Sequence, residues 1–125
     1  MIFDTDIFIW AQRGNENAAH LIERSDPRLL SVLTYMELLQ GAKNKTQHKI
    51  IKEFLSDFGF TVLPLTENIG HRAAIYIEEY ALSCRIRAGD ALVAATAVEN
   101  NLSLVSSNAK HFLPIKDLKL KMFRP

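Results

Sequence analysis

The chain has 125 residues, of which 48% are hydrophobic and 23% charged, a content that fits one globular domain with its own core. Its formal net charge of +1 excludes strong electrostatic capture of nucleic acid by the whole molecule, but not a local basic patch. Cys84 is the only cysteine, which excludes an internal disulfide, and no apolar run approaches the roughly 18 residues of a membrane span.

The first third of the chain alternates short apolar runs with helical patterns. The run at 1–3 predicts a strand, followed by a short helix that ends by Gly14. A second helix is predicted over 15–24, a strand over 29–33, and a helix over 34–41 that a glycine terminates. The start MIFDTD has no basic leader, so we expect no signal peptide and, with one cysteine, a cytoplasmic protein.

The middle of the chain continues this alternation. A helix is predicted over 48–58, and a strand over 60–65 precedes a long helix capped by Thr66. The apolar spacing of the first of these helices predicts five inward side chains: Ile50, Ile51, Phe54, Leu55 and Phe58.

The stretch 85–112, RIRAGDALVAATAVENNLSLVSSNAKHF, organises the rest of the chain. Its alanine-rich segment has apolar residues at i, i+3, i+4, i+7 and i+11, which predicts a closely packed, buried helix that opens at Gly89 and Asp90. SLVS then predicts a buried strand, and DLKLKMF predicts an edge strand protected by lysines.

Alternating strands and helices predict an α/β fold, a three-layer α/β/α sandwich in one domain over 1–125 with a mostly parallel sheet of four to five strands. In such sheets the ligand crevice lies at the carboxyl ends of the strands. Asp4 and Glu37 follow predicted strands and Asp90 opens a helix, so we expect these three acids at one edge of the sheet.

Each acid also has a purely structural interpretation. Asp4 or Asp6 fits the N-cap of the first helix, Thr34 and Glu37 fit a capping box, and Asp90 suits the positive end of a helix dipole. Together the acids would repel one another around a single crevice, which a hard cation such as Mg²⁺ would relieve.

Four segments in order carry a family resemblance: DTDIFIW, TYMELLQGA, RAGDALVAATA and LVSSNAKHF. Their order and spacing resemble PIN domains, and above all the VapC-type toxin ribonucleases of toxin–antitoxin pairs. The resemblance implies Mg²⁺- or Mn²⁺-dependent hydrolysis of RNA, with Asp4, Glu37 and Asp90 as catalytic and metal-binding residues. It also implies a homodimer and a small antitoxin protein whose tail occupies the crevice.

The resemblance assigns accessory roles to Asp6 and Ser106. In the fourth segment, where many members of the family have an acid, this chain has Asn108 and His111, which puts a second metal ion in question. Asn108 would orient a water or cap a turn, and we interpret His111 as a hydrogen-bonded structural histidine rather than a ligand.

Basic side chains near the predicted crevice could contact flanking phosphates, although a side chain of this kind is more often only a solvated surface charge. They are Arg85, Arg87, Lys43, Lys45 and Lys110. For the homodimer, the segments around Trp10 and around Tyr76 and Tyr80 offer apolar and aromatic surface.

Two alternatives belong to other functional classes. Asp4-Thr5-Asp6 after a strand also resembles the nucleophile pair of haloacid-dehalogenase-like phosphatases, but no acid pair follows the late strand that ends at Ser106 and Ser107. The missing fourth acid would also fit a degenerate PIN module that binds RNA or protein without catalysis.

Overall fold

The computed structural model describes residues 1–125 and contains one five-stranded parallel sheet with helices on both faces. The strands are β1 Ile2–Phe3, β2 Leu29–Ser31, β3 Thr61–Leu63, β4 Leu104–Ser106 and β5 Leu120–Met122. The helices are α1 Thr5–Gln12, α2 Glu16–Glu23, α3 Val32–Gly41, α4 Lys45–Asp57, α5 Glu67–Cys84 and α6 Ala88–Glu99, with a 3₁₀ turn at Ala109–His111. The predicted α/β sandwich is confirmed. No helix is both long and apolar enough to cross a membrane.

The strand order β3-β2-β1-β4-β5 places β1 at the centre of the sheet. Ile2 pairs with Leu29 of β2 on one side and with Leu104 of β4 on the other. The chain therefore leaves β1 toward one edge of the sheet and returns on its other side, so the order reverses beside β1. In an open α/β sheet this is where a crevice forms at the carboxyl ends of the strands.

Buried side chains cover both faces of the sheet, as expected for parallel strands. Ile2 and Leu104 belong to a core with α5 and α6, whereas Phe3 and Val105 belong to a second core with α1, α2 and α4. Helix α6 is buried at positions Ala91, Val93, Ala94, Ala95, Thr96 and Ala97, which confirms the prediction of a closely packed helix.

The N-terminus of α3 differs from the prediction. Helix α3 begins at Val32 rather than at residue 34, because the Ser31 hydroxyl accepts a hydrogen bond from the Leu33 backbone N–H at 3.1 Å. Thr34 therefore lies inside the helix, where it is buried and its Oγ1 has no hydrogen-bond partner. The capping box proposed for Thr34 and Glu37 is wrong, and Glu37 is left without that structural role.

Helix α4 also differs from the prediction. It begins at Lys45, three residues earlier than expected, because the Asn44 side chain accepts a hydrogen bond from the Gln47 backbone N–H at 2.9 Å. Ile51 and Leu55 are buried as predicted, but Ile50 is 58% exposed and does not point inward. The predicted edge strand is confirmed as β5, whose outer side has no neighbouring strand.

Candidate active site

Asp4 lies directly after β1, and each of its two carboxylate oxygens accepts a hydrogen bond. The Thr5 backbone N–H donates a hydrogen bond to Oδ1 at 2.8 Å, which makes Asp4 the N-cap of α1. The Ser106 hydroxyl, at the end of β4, donates to Oδ2 at 2.8 Å. The end of β4 thus contacts the end of β1, at the reversal of strand order.

The pKa of the Asp4 carboxyl is raised from 3.8 to about 7, and burial is the largest cause. The negative charge of Asp6 and, to a smaller extent, that of Asp90 contribute to this rise, and the hydrogen bonds from Ser106 and Thr5 oppose it. A helix cap alone would depress the pKa of the carboxyl. The net rise shows that burial and neighbouring acids outweigh the cap, so negative charge at this position is poorly compensated.

Asp6 holds the turn that follows β4. Its Oδ2 accepts a hydrogen bond from the Ser107 backbone N–H at 2.7 Å and another from the Ser107 hydroxyl. The Asn108 backbone N–H donates to the Ser106 hydroxyl at 2.9 Å. The second oxygen of Asp6, Oδ1, is buried and has no hydrogen-bond partner. This oxygen is a potential ligand for a hard metal ion and has no partner. It lies next to the Asp4 carboxyl, whose pKa is raised.

Glu37 is linked to Asp4 through Thr5. The Thr5 hydroxyl donates to Glu37 Oε1 at 2.9 Å, and the backbone N–H of the same residue donates to Asp4. Glu37 is exposed and lies in the middle of α3, not directly after β2 as its sequence position suggested. One threonine therefore contacts two of the acids.

Asp90 lies in the first turn of α6 and is half-buried. It is not the N-cap, which is Arg87, and the Arg87 side chain makes no capping hydrogen bond. The position suits a negative charge because it is at the positive end of the helix dipole. Since the charge of Asp90 acts on the pKa of Asp4, α6 brings a third acid to the same edge of the sheet.

The donor set at this edge fits a hard divalent cation, because carboxylate oxygens are the ligands that Mg²⁺ prefers. The raised pKa of Asp4 and the unpartnered Asp6 Oδ1 indicate negative charge that a cation would compensate. The structure does not, however, contain a preassembled group of three or more His, Cys, Asp or Glu side chains that could hold a metal ion.

Other predicted residues surround these acids. Arg85 and Arg87 are exposed at the two ends of the connection from α5 to α6, and Lys43, Lys45 and Lys110 are also exposed. His111 lies in the 3₁₀ turn, where its Nδ1 is buried and without a hydrogen-bond partner. The interpretation of His111 as a hydrogen-bonded histidine is therefore wrong.

Sequence reasoning missed two contributors, Thr5 and Ser107. Both adjoin residues that the sequence did single out, Thr5 within Asp-Thr-Asp and Ser107 beside Ser106. Adjacency to a residue already singled out was the only available signal, because the hydrogen bonds of Thr5 and Ser107 join residues 32 and 101 positions apart.

Comparison with known proteins identifies the family. A model of the PIN domain matches residues 1–116 of the 125. The chain belongs to the PIN-domain family. It is 32% identical over 123 residues to "Ribonuclease VapC10" of Mycobacterium tuberculosis, a match that covers 95% of this chain and 90% of that protein. The resemblance drawn from four segments is confirmed, and membership of this family removes the support for a haloacid-dehalogenase-like phosphatase.

Solved structures agree with this assignment. A toxin–antitoxin complex from Klebsiella pneumoniae contains a chain 30% identical to this PIN domain, with a TM-score of 0.79 and coverage of 94% of this chain and 93% of that one. VapBC-1 from nontypeable Haemophilus influenzae contains a chain 26% identical, with a TM-score of 0.79 and 98% of each chain covered.

Proposed function

We propose that this PIN domain is a Mg²⁺- or Mn²⁺-dependent endoribonuclease that hydrolyses RNA phosphodiester bonds, as the toxin of a toxin–antitoxin pair. The similarity to a protein named a ribonuclease and to toxin–antitoxin structures supports the class of activity. The observation that carries the proposal is the convergence of acids at the carboxyl end of β1, where Thr5 contacts both Asp4 and Glu37 and the Asp6 Oδ1 is buried without a hydrogen-bond partner.

Asp4, Asp90 and Glu37 would hold the cation. When bound, Mg²⁺ or Mn²⁺ supplies a Lewis acid for a phosphate oxygen and lowers the pKa of its bound water. Ser106 and the Thr5 backbone fix the two oxygens of Asp4, and the Thr5 hydroxyl orients Glu37. Asp6 anchors the turn after β4, in which the Ser106 hydroxyl contacts Asp4 and accepts a hydrogen bond from the Asn108 backbone N–H. Glu37, the exposed acid, is the residue positioned to take a proton from an attacking water.

Arg85 and Arg87 are assigned to the phosphates that flank the cleaved bond. Both lie within five residues of Asp90, are exposed, and have no ion pair to break on binding RNA. Lys43 and Lys110 share this exposure and are assigned the same role. Such contacts position the strand without reading its sequence.

Cleavage of labelled RNA, with metal and with chelator, tests the proposal. We expect cleavage in Mg²⁺ or Mn²⁺, none in EDTA, and none from Asp4→Asn or Asp90→Asn proteins that melt cooperatively, because an amide lacks the charge that holds the cation. Cleavage by Asp90→Asn in EDTA would contradict the mechanism. A wild type that binds RNA but never cleaves it would favour a degenerate, non-catalytic module.

The antitoxin is assigned to the cleft beside Glu37. This cleft, of about 600 Å³, extends from Thr5 and Glu37 between α1, α3 and α4, and the exposed Ile50 forms part of its wall. A cleft with both apolar and polar walls that ends at the proposed active site suits a peptide that blocks it. Co-purification with the protein encoded next to this chain in its genome, and its loss in Ile50→Glu, would support the assignment. Unchanged co-purification by Ile50→Glu would contradict it.

The homodimer remains a proposal, and its surface needs one correction. Tyr76 is only 4% exposed, and its hydroxyl donates to Asp117 Oδ1 at 3.0 Å, so it is not available to a partner. Exposed apolar side chains on the same helix are Ile75 and Leu82, which we assign to the interface instead. Light scattering that shows a monomer at micromolar concentration would contradict the proposal. Weaker association of Leu82→Glu would support this surface.

A further inference from the structure

A basic cleft lies between α2 and β5, on the face of the sheet that also carries α1. It has a volume of about 480 Å³ and is lined by residues of α2, by Val105 of β4, and by β5 and the residues that follow it. Four of its lining residues are basic: His20 and Arg24 from α2 and the residue after it, and Lys121 and Arg124 from β5 and the residues after it. We call this the β5 cleft.

The β5 cleft concentrates unpaired positive charge. No Asp or Glu lines it. The ion pairs of the chain all lie elsewhere, at Lys49–Glu53, His71–Glu67 and the two pairs made by Arg72. Because the chain as a whole has a net charge of only +1, this local excess is not a consequence of composition. Like charges that converge on one cleft repel one another unless an anion lies between them.

The β5 cleft adjoins the proposed active site through backbone contacts. The Phe123 backbone N–H donates to the Ser106 carbonyl at 2.9 Å, and the Ser106 hydroxyl donates to Asp4. Lys121 pairs with Val105, the residue before Ser106. Because neighbouring strands lie about 4.8 Å apart, the backbone of Lys121 lies two strand spacings, about 10 Å, from that of β1, which Asp4 follows.

We propose that the β5 cleft binds the sugar–phosphate backbone of the RNA strand on one side of the cleaved bond. This inference rests on the proposed ribonuclease activity, because that activity brings a polyanion to the adjacent edge of the sheet. A basic groove that follows a single strand binds it without sequence preference and with strong salt dependence. An acidic protein is the less suitable occupant, since the cleft offers little exposed apolar surface apart from Met122.

Binding measured without catalysis tests the proposal. The Asp90→Asn protein in EDTA would be titrated into a labelled single-stranded RNA of about twelve nucleotides and followed by fluorescence anisotropy. Adding Arg24→Glu and Arg124→Glu should weaken binding at least tenfold. It should also lower the slope of log affinity against log salt by about 0.7 for each phosphate that the protein no longer neutralises. The matched control, Lys49→Glu with Lys52→Glu on α4, changes the net charge equally and should have little effect.

A second pair, Arg24→Gln with Arg124→Gln, guards against misfolding and should give a smaller loss in the same direction. Substrate length separates this proposal from the ribonuclease proposal. In metal, the glutamate pair should raise KM for the long RNA more than KM for a dinucleotide, which is too short to reach the cleft. If the cleft and control variants bound RNA with equal affinity and equal salt dependence, the proposal for the β5 cleft would be overturned. Binding of polyglutamate to the cleft in preference to RNA would also overturn it. If wild type cleaves nothing but the cleft variant still loses RNA binding, the ribonuclease proposal fails and the β5 cleft stands.

Discussion

Asp4 shows two opposing effects on one carboxyl. As the N-cap of α1 it accepts hydrogen bonds that favour its charged form, but burial and the charges of Asp6 and Asp90 raise its pKa to about 7. The folded protein therefore binds more protons than the unfolded chain between about pH 4 and pH 7. The contribution of Asp4 to the free energy of unfolding is fully present below this range and is lost as pH rises through it.

We therefore expect the melting temperature in EDTA to fall between pH 5 and pH 7. Asp4→Asn should flatten this decrease, because the amide does not titrate. Thermal melts of both proteins at the two pH values would measure the effect. A wild type that becomes more stable toward pH 7, as a simple helix cap would, contradicts this account of Asp4.

Thr5 allows a sharper test of the link between Asp4 and Glu37. Thr5→Val keeps the shape of the side chain and the backbone N–H but removes the hydroxyl that orients Glu37, whereas Thr5→Ser retains it. We expect Thr5→Val to lower kcat about tenfold with little change in KM for RNA. The Thr5→Ser protein should have a kcat close to that of wild type. Equal kcat in all three proteins would show that the hydroxyl has no positioning role.

The sequence was informative about the acids and, through the family resemblance, about Ser106, but not about the hydroxyl partners Thr5 and Ser107. Asp4 and Asp90 were predicted because an acid next to a buried strand or helix stands out against apolar neighbours. The bonds of Asp6 to Ser107 and of Thr5 to Glu37 depend on how β1, β4 and α3 meet, which no local pattern encodes. The predicted capping box was wrong for a related reason. Ser31, rather than Thr34, caps the N-terminus of α3.

Among the elements, α6 was predicted most completely. Its alanine-rich pattern specifies close packing, and α5 lies against it. Helix α4 was predicted less well, because Ile50 fits the apolar spacing but faces the cleft beside Glu37 instead of the core. Periodicity identifies an apolar face but does not distinguish a core from a binding surface.

The start of α6 contains Gly89, where a Cβ would lie 3.5 Å from Leu33 Cδ2, an ordinary contact. Gly89→Ala should therefore stabilise the fold by about 0.4–1 kcal/mol, because alanine restricts the unfolded chain. Gly59, with φ +67, is the matched control, and Gly59→Ala should destabilise by about 1–2 kcal/mol. Urea unfolding midpoints would measure both, and a destabilised Gly89→Ala would show that α6 and α3 tolerate no methyl group there.

At the scale of the whole molecule, the parallel sheet brings residues far apart in sequence to one edge. Asp4 follows β1, Ser106 ends β4 and Asp90 lies in α6, and the reversal of strand order beside β1 brings them together. The β5 cleft lies along β5, the neighbour of β4 in the sheet, so one strand of RNA would contact both the proposed cation-binding acids and the cleft.

The central claim, that Asp4 and Asp90 hold a divalent cation, is tested most directly by the melting temperature with and without Mn²⁺. Wild type should gain stability with metal, by about 2.7 kcal/mol at a hundredfold excess over the Kd. In EDTA, Asp90→Asn should melt at a higher temperature than wild type, because it removes repulsion, and it should gain little from Mn²⁺. An Asp90→Asn protein that melts lower than wild type in EDTA and gains as much from Mn²⁺ would contradict the claim.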